Sequence, residues 1–237
     1  MARKHLKAGA LTAPVPPVMV TVGSGDNVNV LTIAWTGILS TIPPRTYISV
    51  RPSRHSYALL REGREFVINL ASADMARVVD YVGIYTGAKV DKFKECGLST
   101  TPSREVATPT IAECPFALEC RVVEIIPMGT HDVFVADIVS VSCDEDMVDK
   151  DGKLRFDKMN LLAYAHGEYF RLGECVGRFG FSTKKACGGA PKRRTERPKS
   201  VADIPPRVEK NADNEGDRPF YLTAPRGKKG KKGARRK

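Results

Sequence analysis

A short basic segment, SVRPSRHSYALL at residues 49–60, carries the side chains best suited to chemistry in this sequence. Arg51, Arg54, His55 and Ser56 follow a strand-like apolar run and lead into a stretch with helical spacing. Charged arginine donors, small hydroxyl groups and the exposed amides of a helix N-terminus together match the oxygens of a phosphate. A solvated basic turn would have the same composition, and the segment alone leaves both interpretations open.

No other pattern in the sequence points to catalysis or to a metal. There is no GxxxxGK[ST], HExxH or GxSxG motif, and GSGDNV at residues 23–28 has the composition of a hairpin turn. The four histidines lie far apart, and the six cysteines include no CxxC pair. We therefore predict no metal site and no disulfide framework. With no apolar run of about 18 residues and no signal-peptide pattern, we expect a cytoplasmic protein without a membrane partner.

The positive charge is concentrated at the C-terminal end. Residues 184–237 contain 18 Lys and Arg against 6 Asp and Glu, whereas the preceding residues contain 20 against 21. This basic segment is rich in Pro and Gly and has too few apolar residues to form a core. We predict an N-terminal extension at 1–13, one domain at 14–185, and a disordered basic tail at 186–237. The tail is suited to nonspecific contact with polyanions, or to a solubilising role alone.

Strand patterns dominate the domain. Alternating and β-branched apolar residues predict strands at residues 18–22, 46–50, 65–70, 116–126 and 132–142. One face of the last segment consists of Val133, Val135, Val139 and Val141, which predicts a half-buried antiparallel strand with the valines on its apolar side.

Helical patterns are few and short. One covers residues 56–63, with Ser56 as its cap and Gly63 at its end, and another covers residues 72–83. Several strands with two short helices and no βαβ alternation predict a mainly β protein, a β-barrel with helical insertions.

Polar residues interrupt the apolar run NVNVLTIAWTGILSTIPPRTYISV at residues 27–50, which suits neither a surface nor one regular strand. Pro43 and Pro44 have no amide donor and therefore predict a turn before the next strand. Small polar groups set in an apolar wall are the lining that a cofactor site requires.

Six ordered motifs resemble the flavin reductase-like, FMN-binding split-barrel family, and above all its flavoredoxin and ferric-reductase-like branch. In chain order they are NVNVLTIAW, IPPRTYISVRPSRHSY, GREFVINL, DKF, CPFALECRVVEIIPMGTHDVFVADIVSV and YFRLGECVGRFGFSTKK. The resemblance covers about residues 14–185 and leaves the basic tail outside. It implies a six-stranded split β-barrel, a homodimer, and FMN bound noncovalently near the dimer interface.

The resemblance also implies roles for individual residues. The cofactor-binding set is Asn29, Leu31, Thr32, Ala34, Trp35, Arg51, Arg54, His55, Ser56, Asn69, Leu70, Asp91, Lys92 and Phe93. Two of the implied residues are catalytic: Lys92 offers positive charge to the flavin or nicotinamide, and His131 lies beside the reactive face of the flavin. From the residues alone, Trp35 is equally a core aromatic, Asn69 a turn former at a strand end, and His131 an ordinary polar residue.

Three functions follow from these observations. The first is an NAD(P)H-dependent flavin or ferric reductase, which passes a hydride from NADH or NADPH to FMN and electrons to an acceptor. The second is a flavoredoxin-like electron carrier that a protein partner reduces. The third is a polyanion-binding protein that acts through its tail. Only the first two use the motifs of the domain.

Overall fold

The computed structural model describes residues 3–184 and shows a mainly β protein. The strands are β1 Val18–Val22, β2 Asn29–Ile33, β3 Thr36–Thr41, β4 Pro44–Val50, β5 Glu65–Leu70, β6 Thr100–Thr101, β7 Thr110–Ile111, β8 Phe116–Pro127, β9 Asp132–Cys143, β10 Leu162–Ala165 and β11 Glu168–Arg171. The α-helices are α1 Ser56–Gly63, α2 Ala76–Ile84 and α3 Lys92–Cys96, and short 3-10 helices cover Ala73–Met75, Glu145–Met147, Phe156–Lys158 and Phe181–Lys184.

Seven antiparallel strands form the main sheet in the order β2-β1-β5-β8-β9-β4-β3. The two longest strands, β8 and β9, pair with each other at the centre of the sheet and connect its two halves. The first half of β8 pairs with β5, and the first half of β9 pairs with β4. The chain passes from β2 to β3 through Ala34 and Trp35, and the Trp35 carbonyl accepts a hydrogen bond from the Ser49 amide. This short passage joins the two edges of the sheet into a split barrel.

The barrel interior is an apolar core, to which the strands β1, β2, β4, β5, β8 and β9 contribute side chains. Its largest fully buried side chains include Phe66, Phe134, Ile48 and Leu60, the last from α1. The prediction of a half-buried antiparallel strand for β9 is confirmed, but its valines do not enter this core: Phe134 and Ala136 do, whereas Val135 is buried outside it and Val141 is exposed. Because β8 and β9 are out of regular register at two places, the apolar alternation seen in the sequence does not identify the inner face.

A second apolar cluster lies between the outer side of β1 and β2 and the helices α2 and α3. Met19 and Val30 contribute from the strands, and Val79 and Val82 contribute from α2. Because β1 and β2 are thus covered on both faces, their side chains are almost continuously buried. This packing places the end of α2 beside β2.

The sequence located the elements more accurately than their ends. The strands predicted at 18–22 and 65–70 are confirmed, and the other three are longer by one or two residues. The main sheet has seven strands rather than six, because β3 forms a hairpin with β4. Its turn is Ile42-Pro43, one residue earlier than predicted, and Pro44 already pairs with Thr41 as the first residue of β4. Helix α1 begins without a side-chain cap, and the left-handed residue at its end is Arg64 rather than Gly63.

A pinned loop, residues 102–109, crosses the outer face of the sheet. The buried Glu119 carboxylate accepts hydrogen bonds from the Arg104 and Glu105 amides at 3.1 and 2.6 Å. Glu65 accepts from the Ala107 amide, and the Thr21 hydroxyl donates to the Pro109 carbonyl. The loop is therefore part of the framework.

We expect Glu119→Gln to lower the free energy of unfolding by about 2 kcal/mol, because its amide group would face a backbone donor with a donor of its own. Urea denaturation measures the loss, and Glu124→Gln, an exposed change on the same strand, is the control. Equal stabilities of the two variants would contradict the pinned-loop description.

Two compact units account for the described residues. The first is Leu11–Val176, and residues 3–10 and 177–184 belong to the second. Within residues 3–184, no helix is long and apolar enough to cross a membrane. The predicted tail at 186–237 and Cys187 lie outside the described residues.

Candidate cofactor-binding site

The basic segment predicted to bind an anion forms a tight turn between β4 and α1. The Arg54 amide donates to the Arg51 carbonyl, and the Tyr57 amide donates to the Arg54 carbonyl. Arg51 and Arg54 are half-buried, and His55 is exposed at the start of α1. The Arg54 guanidinium donates from Nη2 to the Gly83 carbonyl in the last turn of α2, at 3.0 Å. The turn is therefore held against α2.

Asn29 connects the first residue of β2 to the same turn. Its Nδ2 donates to Ser56 Oγ at 2.7 Å, and both residues are buried. Gly87 approaches so closely that a Cβ there would lie 2.4 Å from Asn29 Oδ1. Only glycine fits at this point, so the chain after α2 packs directly on Asn29. The structure thus brings Asn29, Arg51, Arg54, His55 and Ser56 into one region.

Trp35 and His131 form the second part of the site. Their rings meet edge to face with centroids 4.6 Å apart, and Trp35 is 42% exposed rather than part of the core. His131 Nε2 accepts from Arg51 Nε at 3.4 Å, and its Nδ1 lies 2.9 Å from Thr130 Oγ1. These contacts fit the neutral ring with its proton on Nδ1. Burial, followed by the charges of Arg51 and Arg54, lowers the pKa of His131.

Two residues that sequence analysis missed support this arrangement. The Tyr57 hydroxyl donates to Asp132 Oδ2, and the hydrogen bond raises the pKa of Tyr57. Asp132 follows His131 and Tyr57 follows Ser56, so this bond ties the start of α1 to the start of β9. Their positions next to predicted site residues were the available signal.

Several predicted cofactor contacts instead lie within the framework. Thr32 Oγ1 donates to the Val79 carbonyl of α2, and Leu31 lies in the barrel core. Asp91 accepts from the Lys94 amide and caps α3, while Phe93 packs in the second apolar cluster. Leu70 packs against the barrel core at the end of β5. Ala34 alone of this group lies next to Trp35 in the passage between β2 and β3.

Asn69 is fully buried and lies within β5 rather than at a turn. Its Nδ2 donates to the Met19 and Val67 carbonyls, and its Oδ1 accepts from the Ile111 amide. The structure therefore gives Asn69 the role of joining β1, β5 and β7.

Lys92, predicted to be catalytic, is only 3% exposed. Its Nζ donates to the Val30 carbonyl at 2.8 Å and to the Val82 carbonyl at 2.9 Å. Burial, followed by the charge of Arg54, lowers the pKa of Lys92 to about 8. The ammonium group thus lies buried at the edge of β2, between Val30 and the end of α2.

Within residues 3–184, the cysteines and acidic residues supply no other reactive centre. Burial raises the pKa of Cys114 to about 12 and also raises the pKa of Cys96, so neither thiol is activated. Cys96 ends α3 rather than lying in a loop. Among residues 3–184, no group of three or more His, Cys, Asp or Glu side chains has a metal-binding arrangement.

The assembled side chains fit an anionic, planar cofactor such as FMN. Arg51, Arg54 and the first turn of α1 provide the donors that a phosphate requires. Edge strand β2 leads from this turn to Trp35, whose exposed indole can pack on a ring. The Val30 carbonyl faces away from β1, towards the edge of the sheet. Backbone groups of alternate residues point to the same side of a strand, so the Thr32 amide also faces this edge and can donate to a ring atom.

Comparison with known proteins agrees with this fold. The model of the family described as "Flavin reductase like domain" matches residues 11–173. The chain therefore belongs to the flavin reductase-like family and has its FMN-binding split-barrel fold. Flavoredoxin of Desulfovibrio vulgaris (Miyazaki F) is 32% identical with a TM-score of 0.72, covering 78% of this chain and 100% of that one.

Two further relatives carry informative names. An FMN-binding protein from Thermus thermophilus is 26% identical with a TM-score of 0.64, covering 75% of this chain and 99% of that one. An NADPH-flavin oxidoreductase of Streptomyces viridifaciens is 23% identical over 138 residues, which are 57% of this chain and 70% of the relative. The proteins to which this chain is similar thus include flavoproteins and an oxidoreductase.

We expect Arg51→Met to raise the pKa of His131 towards its ordinary value of 6.5, because one of the positive charges that disfavour the imidazolium is removed. Proton NMR of the imidazole C–H signals across pH 5–8 measures the shift, and His131→Gln identifies the signal. Arg45→Met, at the opposite end of β4, is the control. A pKa that is unchanged or lower in Arg51→Met would contradict the proximity of these groups.

Proposed function

We propose that this protein is an FMN-dependent oxidoreductase that takes electrons from NADH or NADPH and passes them to a small-molecule or protein acceptor in the cytoplasm. The observation that carries the proposal is the convergence of a basic turn, an edge strand and the exposed Trp35–His131 pair in one region. The similarity to an NADPH-flavin oxidoreductase supports a nicotinamide as the donor. Free flavin and ferric iron are both candidate acceptors.

The side chains of this chain supply binding and electrostatics. FMN held by Arg51, Arg54 and the first turn of α1 would supply the redox chemistry, which is hydride acceptance from the nicotinamide and electron release to the acceptor. Arg51 and Arg54 neutralise the phosphate, and Asn29 and Ser56 hold the turn on β2. His131 is neutral near pH 7 and lies at the exposed end of the site, where its edge-to-face contact orients Trp35 without adding a charge. Trp35, half-exposed beside it, shields one side of the ring region from water.

Spectroscopy of the purified protein tests this function. We expect flavin absorption bands near 375 and 450 nm, roughly where oxidised flavins absorb, that bleach on anaerobic addition of NADH or NADPH. Titration with each nicotinamide identifies the donor. A protein that neither contains nor binds FMN would contradict the proposal.

The alternative is a flavoredoxin-like electron carrier, favoured by the 32% identity to flavoredoxin. It has the same fold and site but requires a protein donor. Bands that persist with both nicotinamides and bleach with a reduced ferredoxin-type protein would identify the carrier. Binding of polyanions by residues 186–237 stays a prediction from charge, and salt-dependent RNA binding that is lost on deleting those residues would test it.

We also propose that the chain forms a homodimer. The hairpin of β3 and β4 exposes Ile38, Leu39 and Ile42, the last 91% exposed. Apolar side chains clustered at one edge of a sheet favour coverage by a second copy. Sedimentation velocity of the wild type and of Ile38→Lys tests this: a dimer that becomes monomeric in the variant supports the proposal, and a monomeric wild type rejects it.

A further inference from the structure

Four hydrogen bonds form a closed ring of contacts between β2, α2, Lys92 and the Arg51–Ser56 turn. Lys92 Nζ bonds the Val30 and Val82 carbonyls, Arg54 bonds the Gly83 carbonyl, and Asn29 bonds Ser56. Asn29 and Val30 are neighbours in β2, and residues 82 and 83 are neighbours in α2. We call these four bonds the Lys92 clamp. It joins β2, the start of α1, the end of α2 and the start of α3.

The clamp solves a problem at the end of α2. The last carbonyls of a helix have no partner within it and carry partial negative charge. In this chain two cations from different segments occupy successive carbonyls, Lys92 at Val82 and Arg54 at Gly83. The end of α2 is therefore fastened to β2 by one cation and to the anion-binding turn by the other.

The charges around Lys92 show why this arrangement is sensitive to a ligand. Arg54 faces Lys92 from the turn and disfavours its charged form, while Cys96 on α3 acts in the opposite sense, and β2 and α2 present the two carbonyls. Burial is the largest cause of the lowered pKa of about 8. A bound phosphate near Arg54 would reduce the repulsion between the two cations and so favour the closed clamp.

We propose that Lys92 is a positioning residue, which holds Asn29 and the Arg51–Ser56 turn in the geometry that binds the FMN phosphate and does not touch the cofactor. This inference rests on the proposed function for its ligand. Lys92 is only 3% exposed, and both of the hydrogen bonds of its ammonium group are to backbone groups. Its effect on binding passes through β2 and α2.

The test compares Lys92→Met with wild type and with Lys94→Met, an exposed lysine change on the same helix. Hydrogen–deuterium exchange without FMN reports how firmly residues 51–56 and 83–87 are held. Quenching of FMN fluorescence gives the dissociation constant. We expect faster exchange in both segments and about tenfold weaker FMN binding in Lys92→Met, and wild-type behaviour in Lys94→Met.

The outcomes separate three roles. Weaker binding with unchanged exchange would mean that Lys92 acts on the ligand directly, which overturns the inference, as would two unchanged readouts. Faster exchange in a protein whose wild type binds no FMN would reject the proposed function and leave the positioning role supported. If Lys92→Met does not fold, Lys92→Gln, whose amide can still donate to one carbonyl, carries the same comparison.

Discussion

Replacing Arg54 by Met is expected to weaken FMN binding about 100-fold. A charge-assisted hydrogen bond contributes about 1.5–3 kcal/mol, and about 1.4 kcal/mol corresponds to a factor of ten in the dissociation constant. Arg54 would lose its bond to the phosphate and also its bond to the Gly83 carbonyl, which orients the turn. Methionine keeps much of the aliphatic packing, so the change mainly removes charge and donors.

The dissociation constant is measured by quenching of FMN fluorescence at fixed ionic strength, because salt screens charge-based binding. Arg77→Met, an exposed change on α2, is the matched control for net charge. If Arg54→Met and Arg77→Met both bind FMN like wild type, the phosphate does not lie at the Arg51–Ser56 turn.

Lys92 by itself is expected to contribute a rise of about 1 kcal/mol to the stability of the protein between pH 8 and 9. Its pKa of about 8 in the folded state lies below the ordinary value of 10.5. The unfolded chain therefore binds the proton more tightly, and the penalty for burying the charge is complete below pH 8. It is relieved as pH rises from 8 towards 10.5, by about 3 kcal/mol in all.

Buried thiols oppose this trend at higher pH. Burial raises the pKa of Cys114 to about 12 and raises that of Cys120 as well, from an ordinary value of 9.0. The unfolded thiols ionise as the pH passes through 9 while the folded ones do not, so they offset part of the Lys92 rise below pH 9 and lower the free energy of unfolding above it. The combined expectation is a maximum of stability near pH 9.

Urea denaturation at intervals between pH 7 and 10 measures the curve. Lys92→Met removes the rise between pH 8 and 9 and retains the fall above pH 9, whereas Lys94→Met retains both. A wild-type curve that runs parallel to that of Lys92→Met between pH 8 and 9, with no difference of about 1 kcal/mol developing between them, would show that the ammonium group is hydrated in solution. The comparison requires no cofactor and is independent of the proposed function.

Much of the fold is accessible from local sequence. The strands at 18–22 and 65–70 and the helix at 56–63 were predicted within their observed limits, because β-branched alternation and helical spacing act over a few residues. The order of six motifs identified the family over almost the whole matched region. The inner face of β9 was not predictable in the same way, because the two irregularities in its pairing with β8 arise only when the strands are joined.

For the candidate site too, the sequence predicts the residue types, and the tertiary structure decides their contacts. The sequence by itself determined the donor types in the Arg51–Ser56 turn, since arginines and hydroxyls suit a phosphate wherever the chain places them. Only the tertiary structure decided which neighbours they have: Arg54 on the end of α2, Asn29 on Ser56, and Arg51 on His131. It also moved Lys92 and Asn69 from the ligand to the framework. Whether a polar group faces a ligand or a buried carbonyl depends on segments 10 to 62 residues away, and no local pattern records those contacts.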